Sequence, residues 1–313
     1  MLIGKILFNG KRRLSTKLKR KYKVHRQQAV TVYAKHKVLK ELARLLEFKD
    51  PPNPSNRSIN IFVGAHEWLY DYLPITQINI GIQTEQFFDR NGNRLWGMFS
   101  DSSLAVLKAK FDLIIDLSFA NSKIYAEQDL EFVEFGPYIF PSSSKAFISS
   151  PAGSLIFMGA MNQRRKSALE KYQRQYNIQC VSVNTFGDDL DRQIKLSSAV
   201  LNIHFEEGIY TEYPRILLSY LNGKPVISEM LDYPMIPDKN YILIGDHFDS
   251  AKAKKIFQCF SKEIADNFKL DLILKNPIKK RKQPIAVQIF LFCATSKFKL
   301  KKLAGKIGRV LSF

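Results

Sequence analysis

Residues 198–229 read SAVLNIHFEEGIYTEYPRILLSYLNGKPVISE, and this stretch decides the fold. An apolar run of strand length (198–205) gives way to a polar, glycine-containing loop. A helical pattern follows from about Tyr213, with Pro214 suited to a first turn and Gly223 placed as a C-cap glycine, and then a second apolar run, KPVISEM (224–230). Strand, helix and strand at this spacing call for a parallel pair joined by a crossover helix. Outward from this unit the same alternation continues. Strand patterns fall at 58–65, 75–83, 111–118, 153–160, 177–183 and 240–246, and helical patterns precede 111 and 177. The Pro- and Ser-rich stretch 137–154 divides two such series. Residues 251–272 set Ala253, Ile256, Phe257, Phe260, Ile264 and Phe268 at helical spacing, forming one apolar stripe.

Charge is distributed unevenly. Of a net +19, residues 1–50 hold +12 and residues 275–313 hold +11, which leaves −4 for the middle. A nucleic-acid enzyme would concentrate its positive charge in the central cleft, so this pattern argues against nucleic acid as a partner. The basic ends interleave apolar residues; Phe298, Leu300, Leu303, Ile307 and Val310 stand among six cations, an arrangement suited to an anionic membrane surface. A merely solvated tail is the plainer reading. Cys180, Cys259 and Cys293 form no CxxC or Cys/His cluster, which argues against a disulfide framework or zinc site and for a reducing compartment. No apolar run approaches the roughly 20 residues a spanning helix needs, and the N-terminus lacks the order of a secretory signal, so a soluble chain is expected.

Residues 154–229 resemble the C-terminal half of group 1 glycosyltransferases, enzymes of the GT-B fold. The resemblance is carried by VLNIH (200–204), Glu212 with Arg215, and GKPVISE (223–229), preceded by LIFMGAMNQRR (155–165). It covers about 75 residues well and the N-terminal half poorly. It implies an α/β, GT-B-like fold of two facing Rossmann-like domains with parallel sheets and a cleft between them. It also implies a nucleoside-diphosphate sugar donor, no other cofactor and no bound metal. On this resemblance the loop through Gly208 wraps the donor sugar, Glu212 accepts bonds from sugar hydroxyls, and Arg215 faces phosphate or clamps Glu212. His204 and Glu229 would line the same crevice. The plain alternatives are a packed histidine, a solvated Glu229, an electrostatic helix cap for Glu212 and a structural Arg215.

Gly159 ends strand 153–160 and allows close backbone approach; Arg164 and Arg165 follow, either to meet diphosphate oxygens or to form a solvated first helical turn. One departure stands out. The two glutamates that the wider superfamily sets eight positions apart correspond here to Tyr210 and Leu218, so the usual ribose carboxylate is missing.

In the N-terminal half, Gly64 leads to His66 and Glu67, a candidate general base or acceptor-orienting pair. Glu85 is a second acceptor-side candidate at the same sheet edge, with Asp116 and Asn121 flanking strand 111–118 nearby. Each has an ordinary loop role as its alternative. Asp188, Asp189 and Asp191 read as an acidic helix start and not as a metal site.

The organisation expected is a basic helical arm (1–55), an acceptor domain (56–148), a donor domain (149–250), a helix packing back across the junction (251–274) and a basic amphipathic tail (275–313). The activity expected is transfer of a sugar, with retention of configuration, to a glycolipid or surface-polysaccharide acceptor. The enzyme would be cytoplasmic and peripheral on the inner membrane face. The rival is a non-catalytic glycan- or nucleotide-binding protein on a degraded GT-B scaffold.

Overall fold

The structure is a computed structural model. It describes residues 21–27, 29–46, 58–69, 76–89, 101–122, 145–150, 153–206, 212–247, 249–267 and 270–275, with short pieces at 71, 73–74, 93–95, 125, 133–135, 278–279 and 281. Gly208, Tyr210, Phe268, residues 1–20 and nearly all of the basic tail lie outside the described residues.

Two sheets make up the architecture. The first holds six strands in the order β1 (Lys23–Gln27), β2 (Val30–Tyr33), β3 (Ile59–Val63), β4 (Ile78–Gln83), β5 (Leu113–Asp116) and β6 (Val133–Phe135). Only the β1–β2 hairpin is antiparallel. Helices α1 (Lys37–Arg44) and α2 (Asp101–Lys110) accompany it. β3 and β4 are buried along their whole length, as parallel strands covered on both faces must be. Ile59, Ile61 and Val63 face one core while Phe62 faces another, with Trp68 and Phe111. The polar pair that β3 and β4 set opposite each other, Asn60 and Asn79, is satisfied: Asn60 Nδ2 donates to Asn79 Oδ1 at 3.0 Å, and the Asn79 amides reach Asp112 and Pro74.

The hairpin corrects one expectation. Residues 23–33, read as part of a basic helical arm, are sheet. β2 (VTVY) sends Val30 and Val32 into the core, while the charged β1 is the exposed edge strand, where lysine and arginine guard against unwanted pairing. Terminal charge masked a strand whose apolar residues number only three.

The second sheet holds β7 (Ser154–Phe157), β8 (Asn177–Cys180), β9 (Ala199–Asn202), β10 (Val226–Ser228) and β11 (Ile242–Leu243), all parallel, in the order β11-β10-β9-β7-β8. Its helices are α3 (Gln163–Tyr172), α4 (Asp188–Leu196) and α5 (Tyr213–Leu221). The chain leaves β7 for β8 on one side and returns to β9 on the other. The strand order therefore reverses between β7 and β9, and a crevice opens at their carboxyl ends.

Helix α5 is buried nearly all round, from Tyr213 to Tyr220, because it lies between the sheets. It ends in a Schellman closure: Gly223 takes φ 72°, Lys224 N bonds Ser219 O at 3.1 Å and Gly223 N bonds Tyr220 O at 2.9 Å. Helix α6 (Ser250–Asn267), continued by α7 (Leu270–Lys275), lays Phe257, Phe260 and Ile264 into a cluster that also contains Val30, Ile61 and Ile80 of the first sheet. One hydrophobic cluster thus joins both halves. The segment 145–150 is fastened to the second half by Ile148 N to Gly223 O (2.8 Å), Lys145 N to Tyr220 Oη (2.9 Å) and Lys224 Nζ to Ile148 O (2.8 Å).

The architecture is α/β and GT-B-like: two mostly parallel sheets facing across a cavity.

Candidate active site

A cavity of about 630 Å³ opens between the halves, at the reversal between β7 and β9. Its floor is Gly159 and Ala160 after β7, with Arg165 from α3 and Glu212, Pro214 and Arg215 from the start of α5. Its opposite wall is Thr84, Glu85 and Gln86, which follow β4 of the first sheet.

Glu212 lies between two guanidinium groups. Arg165 Nη2 donates to its Oε1 at 2.6 Å, and Arg215 Nη1 donates to its Oε2. Arg165 is only 2% exposed and is committed further, donating from Nε to Ile203 O (3.0 Å) and from Nη1 to Ala160 O (2.7 Å). Its guanidinium stands 5.1 Å from the Phe205 ring centre and 5.5 Å from that of Phe157. Burial first, and then the neighbouring Arg215, lower its pKa to about 10; it remains a cation at neutral pH. Arg215 also bonds Asn202 Oδ1 at the end of β9. Two cations and one anion leave this corner with a net positive charge, as a diphosphate site requires.

Gly159 makes that corner possible. It takes φ 150°, and a Cβ there would lie 2.7 Å from Arg215 Nη2 and 3.0 Å from Arg165 Nη1. Only a residue without a side chain lets the backbone pass both guanidinium groups. The start of α5 contributes less backbone than its position suggests. Pro214 has no N–H, and the amides of Arg215 and Ile216 both bond the Glu212 carbonyl, at 3.0 and 3.3 Å. Positive charge here comes from side chains.

Arg164 turns elsewhere. Its guanidinium meets Glu229 in a two-pronged pair (3.0 and 2.8 Å) and donates to His204 O at 2.7 Å. Glu229 also accepts from His204 N at 2.8 Å. His204 is buried, its Nε2–H donates to Met230 O at 3.0 Å, and burial lowers its pKa so that the ring stays neutral. Arg164, His204 and Glu229 thus brace the ends of β9 and β10 beside the cavity.

On the first sheet, Glu85 reaches the cavity. Its side chain is exposed at the cavity wall; partial loss of water there, then repulsion from Glu212 and Glu67, raises its carboxyl above the usual range. His66 and Glu67 occupy the short helical turn Ala65–Trp68 and stand behind Glu85 instead of on the wall. Gln83 links them: its Oε1 accepts from His66 N (3.1 Å), and its Nε2 donates to His66 Nδ1 (3.2 Å) and Glu85 O (2.9 Å). The proton of the neutral imidazole therefore sits on Nε2, 3.6 Å from Glu67 Oε1, and Glu67 pairs in turn with His36. Burial lowers the His66 pKa against the pull of Glu67.

Asp116 lies deeper, at the end of β5. Its carboxylate accepts from Ser118 N (2.7 Å), Tyr125 Oη (2.6 Å) and Asn121 Nδ2 (2.9 Å), while Asn121 Oδ1 accepts from Phe87 N. This chain of bonds holds the loop that carries Glu85. Complete burial outweighs the three bonds and raises Asp116 to about 7. A carboxyl whose folded pKa is raised stabilises the fold fully below its unfolded value near 4, and that stability is lost as pH climbs through about 7. Urea unfolding at pH 5 and pH 8 should accordingly differ by about 2 kcal/mol more in the native chain than in Asp116→Asn.

Sequence reasoning singled out Glu212, Arg165, Arg215, Gly159 and Glu85, and these meet at one cavity. It passed over Asn202, inside the quoted VLNIH block, although a polar residue ending a buried strand is a usable signal. Phe205, Thr84 and Gln86 carried no local signal; their role comes from the facing of the two sheets.

No protein-family model matches the chain, and no curated protein does. Among solved structures the chain is similar to TarM, with 15% identity and a TM-score of 0.37 over 82% of this chain and 58% of that one. It is likewise similar to a mutant TarM of S. aureus in complex with fondaparinux, alpha-GlcNAc-glycerol and UDP (13% identity, TM-score 0.39, 82% and 59%). A third is accessory secretory protein 1, 2 and 3 of Streptococcus pneumoniae (16%, TM-score 0.30, 81% and 54%). The chain spans under two thirds of the length of each.

Proposed function

We propose that the chain is a glycosyltransferase that moves a sugar from a nucleoside-diphosphate donor to a glycan or glycolipid acceptor. The observation that carries this is the Arg165–Glu212–Arg215 clamp, opening on a cavity whose far wall is the carboxylate of Glu85. In this reading Arg215, backed by Arg165, meets the charge that grows on the diphosphate as the bond to the sugar breaks. Glu212 spends three acceptor positions on the two arginines and has a fourth for a donor-sugar hydroxyl. Glu85 orients the acceptor hydroxyl, and its raised pKa suits exchange of a proton there. His66 and Glu67 act behind it through Gln83 as positioning residues. Retention of configuration and independence of metal belong to the same proposal.

The test is a panel of nucleoside-diphosphate sugars assayed for hydrolysis and transfer. At least one should be turned over by the native chain, with loss in Glu212→Ala. The second reading, a binding protein without turnover, is favoured by one observation. Leu218 lines the cavity with Met158, Val181 and Leu190, an apolar wall where a ribose carboxylate would be useful. Tight nucleoside-diphosphate binding with no turnover of any donor would establish that reading.

Peripheral attachment to the inner membrane face is the remaining part. Among the described residues no helix is long and apolar enough to cross a membrane. Removing residues 276–313 should cut flotation with vesicles containing about 30% anionic lipid, because each basic residue near such a surface contributes about 1 kcal/mol. Equal flotation of both forms would refute attachment through the tail.

A further inference from the structure

A second groove of about 850 Å³ runs between α1 and α4, on the seam of the two halves. Glu41, Thr185 and Phe186 line both it and the central cavity, so the two spaces adjoin at these residues. Lys37, Lys40 and Arg44 project from one face of α1, at spacings of three and four residues, and Arg192 of α4 faces them. At the helical rise this sets cations about 4.5 and 6 Å apart along the groove. Two acids answer them from the groove lining. Glu41 is taken by Arg44, which also reaches Asp191 at 3.1 Å, and Asp189 is taken by Arg192 at 2.6 Å. Lys37 and Lys40 are exposed, and Lys37 Nζ stands 5.7 Å from the Phe186 ring centre. Lys37, Lys40 and Arg44 belong to the basic first fifty residues, and α1 sets them against α4 of the mildly acidic middle.

We infer that this groove holds the acceptor and that the acceptor is an anionic glycan, a chain of sugars bearing repeated carboxylate or phosphate groups. Resting on the transferase reading above, the inference gives the acceptor a path. The charged repeats run along Lys37 and Lys40, the ring of Phe186 covers the apolar face of one sugar, and the chain end enters the cavity at Glu85. Exposed cations along one line select charge spacing and speed encounter more than they add affinity. A single strand of RNA would need several aromatic platforms, and among the described residues Phe186 is the one aromatic side chain lining the groove.

The experiment uses the full chain with three probes: a hexagalacturonate, a neutral hexasaccharide of similar length and a hexaribonucleotide. Because the basic termini attract any polyanion, Lys37→Gln/Lys40→Gln is compared with Lys254→Gln/Lys255→Gln, which removes equal charge from the exposed face of α6. Hexagalacturonate should bind about tenfold more weakly to the groove variant and nearly unchanged to the α6 variant, and the neutral probe should show no such difference. Equal weakening in both variants overturns the inference, as does a hexaribonucleotide that binds as tightly and with the same dependence on the groove. Nucleoside-diphosphate affinity, measured in parallel, tests the transferase reading separately: its absence in the native chain defeats that reading whatever the groove does.

Discussion

Replacing Arg215 by alanine should lower the turnover of the donor sugar by about a hundredfold to a thousandfold while leaving the chain folded. The guanidinium is half of the positive charge beside Glu212, and its bonds run to the side chains of Glu212 and Asn202 and weakly to one carbonyl. Glu212 keeps Arg165 when Arg215 is gone, so no buried carboxylate is stranded. Steady-state kinetics on the donor found by the panel would check this, and Arg215→Lys should recover part of the rate. Lysine returns the charge but not the fork that meets two oxygens at once. Full activity in the alanine variant would mean that the diphosphate sits elsewhere.

Arg165→Met should behave in the opposite manner, with stability as its first casualty. Three of the five donors of this side chain are taken by Ile203 O, Ala160 O and Glu212. These tie the end of β7 to the end of β9 and to the start of α5. Methionine fills the volume between Phe157 and Phe205 but answers none of the three acceptors. Leaving buried acceptors without their donor costs about 1–3 kcal/mol each, which urea unfolding of the native chain and variant would report. Glu212 keeps Arg215 in this variant, so Glu212→Gln in the same background should return none of that loss, which comes from the two carbonyls left without a donor. The two arginines therefore divide their work: Arg165 builds the corner and Arg215 faces the cavity.

Much of this was legible in the sequence. Strands 59–63, 78–83, 113–116 and 154–157 all fall inside apolar runs, because parallel strands covered on both faces leave little room for polar residues. Helix α5 was legible from Pro214 to Gly223, where a proline and a left-handed glycine mark its ends. The hairpin 23–33 was not, because charge on its edge strand outweighed a short alternation. Arg164 and Arg165 are neighbours in sequence and look alike. Which of them turns to Glu212 and which to Glu229 depends on helical phase, one residue being a rotation of about 100° on α3. Glu85 and the pair His66 and Glu67 were equally plausible on the acceptor side. Only the registry of β3 with β4 sets Glu85 in front.

The hydrophobic cluster that runs from Val30 and Ile80 through α5 to Phe260 and Leu274 belongs to neither sheet alone. A hinge between two lobes works when little apolar surface lies between them, and here a central helix is shared. Heat should then melt the lobes as one cooperative unit, and a severed half would bare the flank it normally hides. Opening and closing of the cavity is left to loops and side chains at its rim, around a body that moves as a whole.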